Sequence, residues 1–578
     1  MSTQFDLKQR IDGEVAVDRF GSYSIEINGE QLVGPTFREA DLNNDGFMDL
    51  VVGAGFHPGD PIEDFGRVYI FFNDGEGKFN GGDVLNASNA AIKISGENEG
   101  DFFGGAVEVA DINGDGFEDI IIGAPGVDIE GENNVGSVYI FFNDGNGNFA
   151  TNAQDADIIN DGEKQGDEFG SALVLADFFG ENRNDLLVGA PFVDTSINNG
   201  GGLYLFANSG SPNYFSTLAT NADQTILGEQ ASEFFGSKLL AVDINGDNAI
   251  DILVGSPLWN AIDGDDEGRV YIFLNDGSGN FPSGTNNADE TIEGSQTSMN
   301  FGQCLSAGDL TGNDRMDLIV GAPRFNPPTI DDEVGSLFIF FNSGNEGDLF
   351  PNNSSQADQR IDGENFDDRF GTSCRIADID KDDILVGAPR FNVPINGSLE
   401  NAGAVYIFLN DGNGNFVQNA SEADLRIDST SANDRFGSGI IVADFNNNFL
   451  TDLVIGARLA DFSAEDSGSI FIYNQETRPP GKPYCDKFIV ERVICDELFY
   501  IEDDEIDIPV GEIIIPEDSI IGGTVSVTIL SCEPIVDLEE DQFRVNLNFM
   551  VQKELTITTH DNEEIDLEFG AQLNRELL

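Results

Sequence analysis

Five stretches of this chain carry oxygen donors at one recurring spacing, and that spacing suits a hard divalent cation. Asp41, Asn43, Asp45 and Asp49 stand at positions 1, 3, 5 and 9 of a turn, as do Asp111, Asn113, Asp115 and Asp119. The same offsets hold Asp243, Asn245, Asp247 and Asp251, then Asp309, Thr311, Asn313 and Asp317, then Asp444, Asn446, Asn448 and Asp452. Side-chain oxygens at these positions, with a backbone carbonyl at position 7 (Phe47, Phe117, Ala249, Arg315 or Leu450), can wrap one Ca2+. An EF-hand would require a bidentate Glu at position 12, where this chain has Val52, Ile122, Val254 and Val320 inside apolar runs. Two further loops depart from the pattern. One has Phe179 and Glu181 at positions 3 and 5, and another, 378–383, is three residues short. A single Asp/Asn/Gly loop is an ordinary turn; recurrence in register is what makes these loops calcium candidates.

Other chemistry is poorly supplied. The 578 residues include two histidines, His57 and His560, and no HExxH, CxxC or spaced Ser/His/Asp set. The chain is therefore expected not to be an enzyme. With 105 acidic and 28 basic residues the net charge is −77, which excludes nucleic acid as a main partner because no cationic stripe could replace counterions. A hydrophobic content of 40% and 46 Phe supply a core, against disorder. No apolar run is long enough for a transmembrane helix. The N-terminus lacks a secretory apolar run, which leaves export by another route or assembly inside a cell both open.

The elements that hold these loops repeat. Phe-Gly pairs begin at Phe20, Phe103, Phe169, Phe235, Phe301, Phe370 and Phe436, at intervals of 83, 66, 66, 66, 69 and 66 residues. Each is followed by a Gly-Ala-Pro-like tripeptide, at Gly53, Gly123, Gly189, Gly255, Gly321, Gly387 and Gly456. Within a unit, four short β-branched and aromatic runs are separated by Gly/Asn/Asp turns, with the acidic loop between the first and second. The pattern predicts an all-β chain whose residues 1–474 form seven four-stranded sheets in a propeller. The seventh unit ends after its third run, and the missing fourth stands at the N-terminus. There Asp6-Leu-Lys-Gln-Arg-Ile-Asp-Gly-Glu14 matches Asp358-Gln-Arg-Ile-Asp-Gly-Glu364, so the N-terminal strand is expected to close the ring.

The order Phe-Gly, DxNxDG, Gly-Ala-Pro resembles the FG-GAP repeats of the integrin alpha-subunit β-propeller and of bacterial FG-GAP proteins. That resemblance implies structural calcium under one face and recognition of a partner through loops on the other. Candidate binding residues follow the Gly-Ala-Pro positions: Phe56, Phe192, Trp259, Arg324, Phe325, Arg390 and Phe391, with Arg458 at the seventh. Aromatic and Arg side chains are favoured anchors, although packing between blades would explain the aromatics equally well. Unit one carries an extra segment, 22–38, with Asn28-Gly29 as a hairpin turn.

Residues 475–483 read as a Pro-rich linker, and 484–578 as a small β-sandwich-like domain with Cys485, Cys495 and Cys532. Its segments 484–495 and 548–557 are similar to β-modules of endospore coat or exosporium proteins, which implies anchoring or self-assembly. The expectation is a non-catalytic, calcium-binding adhesion or scaffold module on a cell or spore surface, taking a protein or glycan through the loop face. A lectin-like or lyase-like propeller, or a structural spore component, is the alternative.

Overall fold

In blade two, Ala106–Ala110, Asp119–Ala124, Ser137–Phe141 and Ile158–Asp161 pair antiparallel in sequence order. The second and third strands are buried along their whole length. That suits their Ile-Ile-Ile and Val-Tyr-Ile-Phe composition, because β-branched and aromatic residues fill a pleated surface covered on both sides. The computed structural model describes residues 4–27, 30–56, 65–75, 77–79, 83–194, 198–228, 230–260, 266–328, 333–345, 348–379, 381–394, 398–448, 450–477, 520–535, 544–558 and 564–577. Met1–Arg478 and Pro479–Leu578 are separate compact units.

The first unit is a seven-bladed propeller: six four-stranded sheets and a seventh that the N-terminus completes. In that last sheet Phe436–Ala443, Asp452–Ala457 and Ser469–Thr477 are followed by Gln4–Asp12. The closing strands run antiparallel, with Leu7 opposite Tyr473 and Ile11 opposite Ile470. The third strand continues to Thr477, so the first residues of the expected linker belong to the ring. The extra segment of unit one is a hairpin of Ser22–Ile27 and Glu30–Pro35, whose Asn28-Gly29 turn lies outside the described residues.

The two glycine motifs exist because neighbouring blades touch backbone to backbone. A Cβ on Gly123 of Gly-Ala-Pro would stand 2.0 Å from the carbonyl oxygen of Gly170, the next unit's Phe-Gly glycine. The same approach recurs at Gly53, Gly189, Gly255, Gly321 and Gly387, and no side chain fits there. The motif phenylalanine plugs the gap from the other side. Phe103 meets Tyr139 edge-on at 5.4 Å in a core shared with Val68 and Ile70 of blade one.

A tie that the sequence reading missed links Cys304, just before the inner strand Leu305–Gly308 of blade five, to Cys374 in Ser373–Asp378 of blade six. The described part of the second unit is one antiparallel sheet of Ile520–Ile535, Arg544–Thr558 and Glu564–Leu577. The segment 484–495, with Cys485 and Cys495, lies outside the described residues.

Candidate functional site

The five acidic loops share one geometry, and all leave the same face, between each blade's first two strands. In the first, both oxygens of Asp41 accept backbone N–H groups, from Asp45 at 3.0 Å and Gly46 at 2.9 Å. Asn43 Oδ1 accepts from Asp45 N and Asp45 Oδ1 from Phe47 N, each at 3.0 Å. Asp111, Asn113 and Asp115 repeat this with Gly116, Asp115 and Phe117, and Asp243, Asn245 and Asp247 with Asn248, Asp247 and Ala249. Asp309 and Asn313 cap Asp314 and Arg315; Asp444, Asn446 and Asn448 cap Asn448 and Leu450. The position-7 residues thus contribute through their backbone. Thr311 enters through its own N–H, which donates to Asp317 at 3.1 Å.

Position 9 is different in kind. Asp49 is buried and its two oxygens accept from Leu42 N at 3.1 Å and Asn73 N at 2.8 Å. Asp119, Asp251, Asp317 and Asp452 are buried likewise, each holding the amide that begins the blade's last turn. Burial, with the nearby Asp45 and Asp41 charges adding to it, pushes Asp49 up to about 7. Burial pushes Asp452 up to about 7 and Asp119, Asp251 and Asp317 up to about 6. A carboxylate oxygen that accepts one N–H keeps a second lone pair. Each loop therefore offers carboxylate, amide or hydroxyl, and carbonyl oxygens around a buried acid that carries its charge at a cost, a donor set that fits a hard cation. Among the described residues, no three His, Cys, Asp or Glu side chains gather into a preformed metal cluster.

In sequence, the Asn-Asp-Gly and Asn-Ser-Gly segments after the third strands read only as turns. Their asparagines are inter-blade latches. Asn143 Nδ2 donates to Leu42 O of the preceding blade's acidic loop at 2.8 Å and to Glu118 O at 3.0 Å. Asn208, Asn275, Asn342 and Asn410 repeat the contact with Ile112, Phe178, Ile244 and Leu310. The signal was present, since these asparagines follow the position-9 Asp at a nearly constant offset.

The opposite face corrects part of the expected binding set. Trp259, Phe325 and Phe391 are not presented to a partner; they are 2–3% exposed. Arginines from the outer two strands cover them: Arg269 lies 3.6 Å from the Trp259 ring centre, Arg360 4.8 Å from Phe325 and Arg426 4.7 Å from Phe391. These aromatics close their blades, each ring lying under a guanidinium at cation–π distance. Phe192 leans on Phe234 and Phe56 on Phe102, each at 5.2 Å and half-buried. Arg324 and Arg390 remain half-exposed, paired with Glu333 and Asp367. His57 lies outside the described residues.

Comparison with known proteins bears on the fold and on activity. The FG-GAP repeat model matches residues 40–71 and 103–141, and the FG-GAP-like repeat model matches 243–320. Phosphatidylinositol-glycan-specific phospholipase D of Homo sapiens is 27% identical over 481 residues, 76% of this chain and 54% of that protein. The Bos taurus protein of the same name is 29% identical over 478 residues, again 76% and 54%. Integrin alpha-PS2 of Drosophila melanogaster is 30% identical over 236 residues, 39% of this chain and 16% of that protein. The chain spans about half the length of the phospholipases it matches. Their alignment across three quarters of the chain overturns two expectations, that the chain is not an enzyme and that it is a non-catalytic adhesion or scaffold module. Among the described residues no helix is long and apolar enough to cross a membrane. Repeat motifs, blade order and integrin relatives agree: the first unit is an integrin-alpha-like FG-GAP β-propeller.

Proposed function

We propose that this chain serves an enzymatic role of phospholipase D type on phosphatidylinositol-glycans, with calcium bracing the propeller that engages the substrate. The observation that carries this reading is the alignment of 76–78% of the chain with phosphatidylinositol-glycan-specific phospholipases D of three mammals. In such a reaction water adds at phosphorus, the inositol hydroxyl departs, and phosphatidic acid is the lipid product. The acidic loops take Ca2+ on the face away from the Gly-Ala-Pro loops, which leaves that second face for the substrate. An extracellular location fits both the relatives and the Cys304–Cys374 disulfide, because such bonds persist in oxidising compartments.

The test is release of a phosphatidylinositol-glycan-anchored protein from washed membranes by the full chain in millimolar calcium. Conversion of the anchored protein to a water-soluble form supports the reading. An anchored protein that stays in the membrane fraction, with a general phospholipase releasing it in parallel, overturns it.

A further inference from the structure

In a chain with 28 basic residues and 105 acidic ones, six arginines occupy one arc of the loop face. Three of them, Arg19, Arg369 and Arg435, immediately precede a Phe-Gly pair, in units one, six and seven. Arg324 and Arg390 follow Gly-Ala-Pro in units five and six, and Arg458 ends the Gly-Ala-Arg of unit seven. Units five, six, seven and one are consecutive around the closed ring, so the six form a continuous arc. Arg19, Arg369 and Arg435 have φ of 48°, 60° and 60°, the left-handed turn that Phe102, Glu168, Phe234 and Asn300 also take before their Phe-Gly pairs, so the repeat itself sets where these three side chains start.

Three of the six, Arg369, Arg390 and Arg435, crowd around a single carboxylate, Asp367. Arg369 Nε and Arg390 Nη1 share one carboxylate, Asp367, at 2.7 and 2.9 Å. Arg324 stands 3.5 Å from Glu333, and Arg435 Nη1 donates to the neutral Asn401 at 2.9 Å. Arg435 Nε is buried with no hydrogen-bond partner among the described residues. Burial, together with Arg435, Arg19 and Arg390, pushes Arg458 down to about 9, and burial with Arg390 pushes Arg435 down to about 10. Recessed guanidinium groups that repel one another are a site awaiting an anion with several oxygens, and phosphate matches their forked geometry. Units one to four place Phe56, Phe102, Phe192, Phe234 and Leu258 at the corresponding loop positions, where Phe234 and Leu258 are buried against Phe192, so the arginines are confined to the arc; Arg19 lies 4.4 Å from the Phe56 ring centre at its end.

We infer that this arginine arc binds the phosphate ester of an inositol-containing ligand. The substrate class rests on the function proposed above; the phosphate site itself stands on the arginines.

The experiment uses the calcium-loaded full chain and the double variant R390Q/R435Q, with R183Q, an arginine of an acidic loop on the other face, as control. Melting temperature and calorimetry are read with myo-inositol 1-phosphate, inorganic phosphate, and phosphatidylcholine vesicles with or without phosphatidylinositol. Wild type and R183Q should be stabilised by the phosphate ester. R390Q/R435Q should bind it at least about tenfold more weakly, as expected on losing charge-assisted hydrogen bonds. Without ligand, that variant should melt no lower than wild type, because it relieves like-charge repulsion; arginines serving only structure would give a lower melting point. Selective binding of phosphatidylinositol vesicles identifies a lipid headgroup, and binding of the soluble ester alone identifies a free phosphate ester. No response of wild type to any probe, or an equal response in R390Q/R435Q, overturns the site. Phosphate binding without release of anchored protein would sink the proposed function and leave the arc standing.

Discussion

Replacing both Cys304 and Cys374 with serine removes a covalent tie between the inner strands of blades five and six. The bond spans 70 residues, and its Cα atoms lie 5.8 Å apart. Chain-entropy reasoning for a loop of that size gives about 4 kcal/mol, lost when the unfolded chain is freed. A propeller of roughly 470 residues unfolding as one unit has an unfolding entropy near 1 kcal/mol/K, so the melting temperature should fall by about 4 °C. Scanning calorimetry of wild type and C304S/C374S at one calcium concentration reads the shift. Peptide mass mapping after alkylation of the unreduced native protein checks the bond itself, and must distinguish these residues from Cys485, Cys495 and Cys532. Equal melting temperatures, or alkylation of Cys304 and Cys374 without reductant, would refute the reasoning.

Three other perturbations test different layers. Asn143→Ala strips the side-chain donor from the carbonyls of Leu42 and Glu118 and should cost about 2–3 kcal/mol in urea midpoint, whereas Asn148→Ala on the exposed part of the same turn should cost well under 1 kcal/mol. Chelation should lower the melting temperature, each site contributing about 2.7 kcal/mol at a hundredfold excess of calcium over its Kd; Asp111→Ala with Asp115→Ala should shrink that response, and an unchanged melting point in chelator would count against calcium in the loops. Burial pushes Asp101 and Asp167 up to about 6 and Asp368 and Asp434 up to about 7, whereas the unfolded chain's aspartates titrate near ~4. The folded protein thus holds protons that the unfolded chain has shed, and stability should fall as pH rises through 6 to 7; a urea midpoint in chelator that rises from pH 5 to pH 8 would contradict this.

Blade number and ring closure were legible because three motifs recur in order and because 6–14 repeats 358–364. The acidic loops were legible as oxygen-rich turns, but their position-9 aspartates double as buried hydrogen-bond acceptors, which spacing alone does not reveal. Trp259, Phe325 and Phe391 were misread because an aromatic after Gly-Ala-Pro reads the same whether it faces a partner or folds under an arginine from an outer strand. The disulfide escaped notice although Cys304 and Cys374 sit at nearly equal offsets after successive Phe-Gly pairs, which places them on adjacent inner strands. The arginine arc needed the ring, since units five to seven meet unit one only when it closes. Activity was illegible because FG-GAP motifs specify how blades pack, and many chemistries can share that packing.

Lipid-product analysis tests the proposed enzymatic role most directly. The full chain is incubated in calcium and 18O-labelled water with a phosphatidylinositol-glycan-anchored protein, and extracted lipids are identified by mass spectrometry. The account predicts phosphatidic acid carrying one labelled phosphate oxygen, with the inositol retained on the released protein. Diacylglycerol as the product, or no lipid product at all, would contradict it.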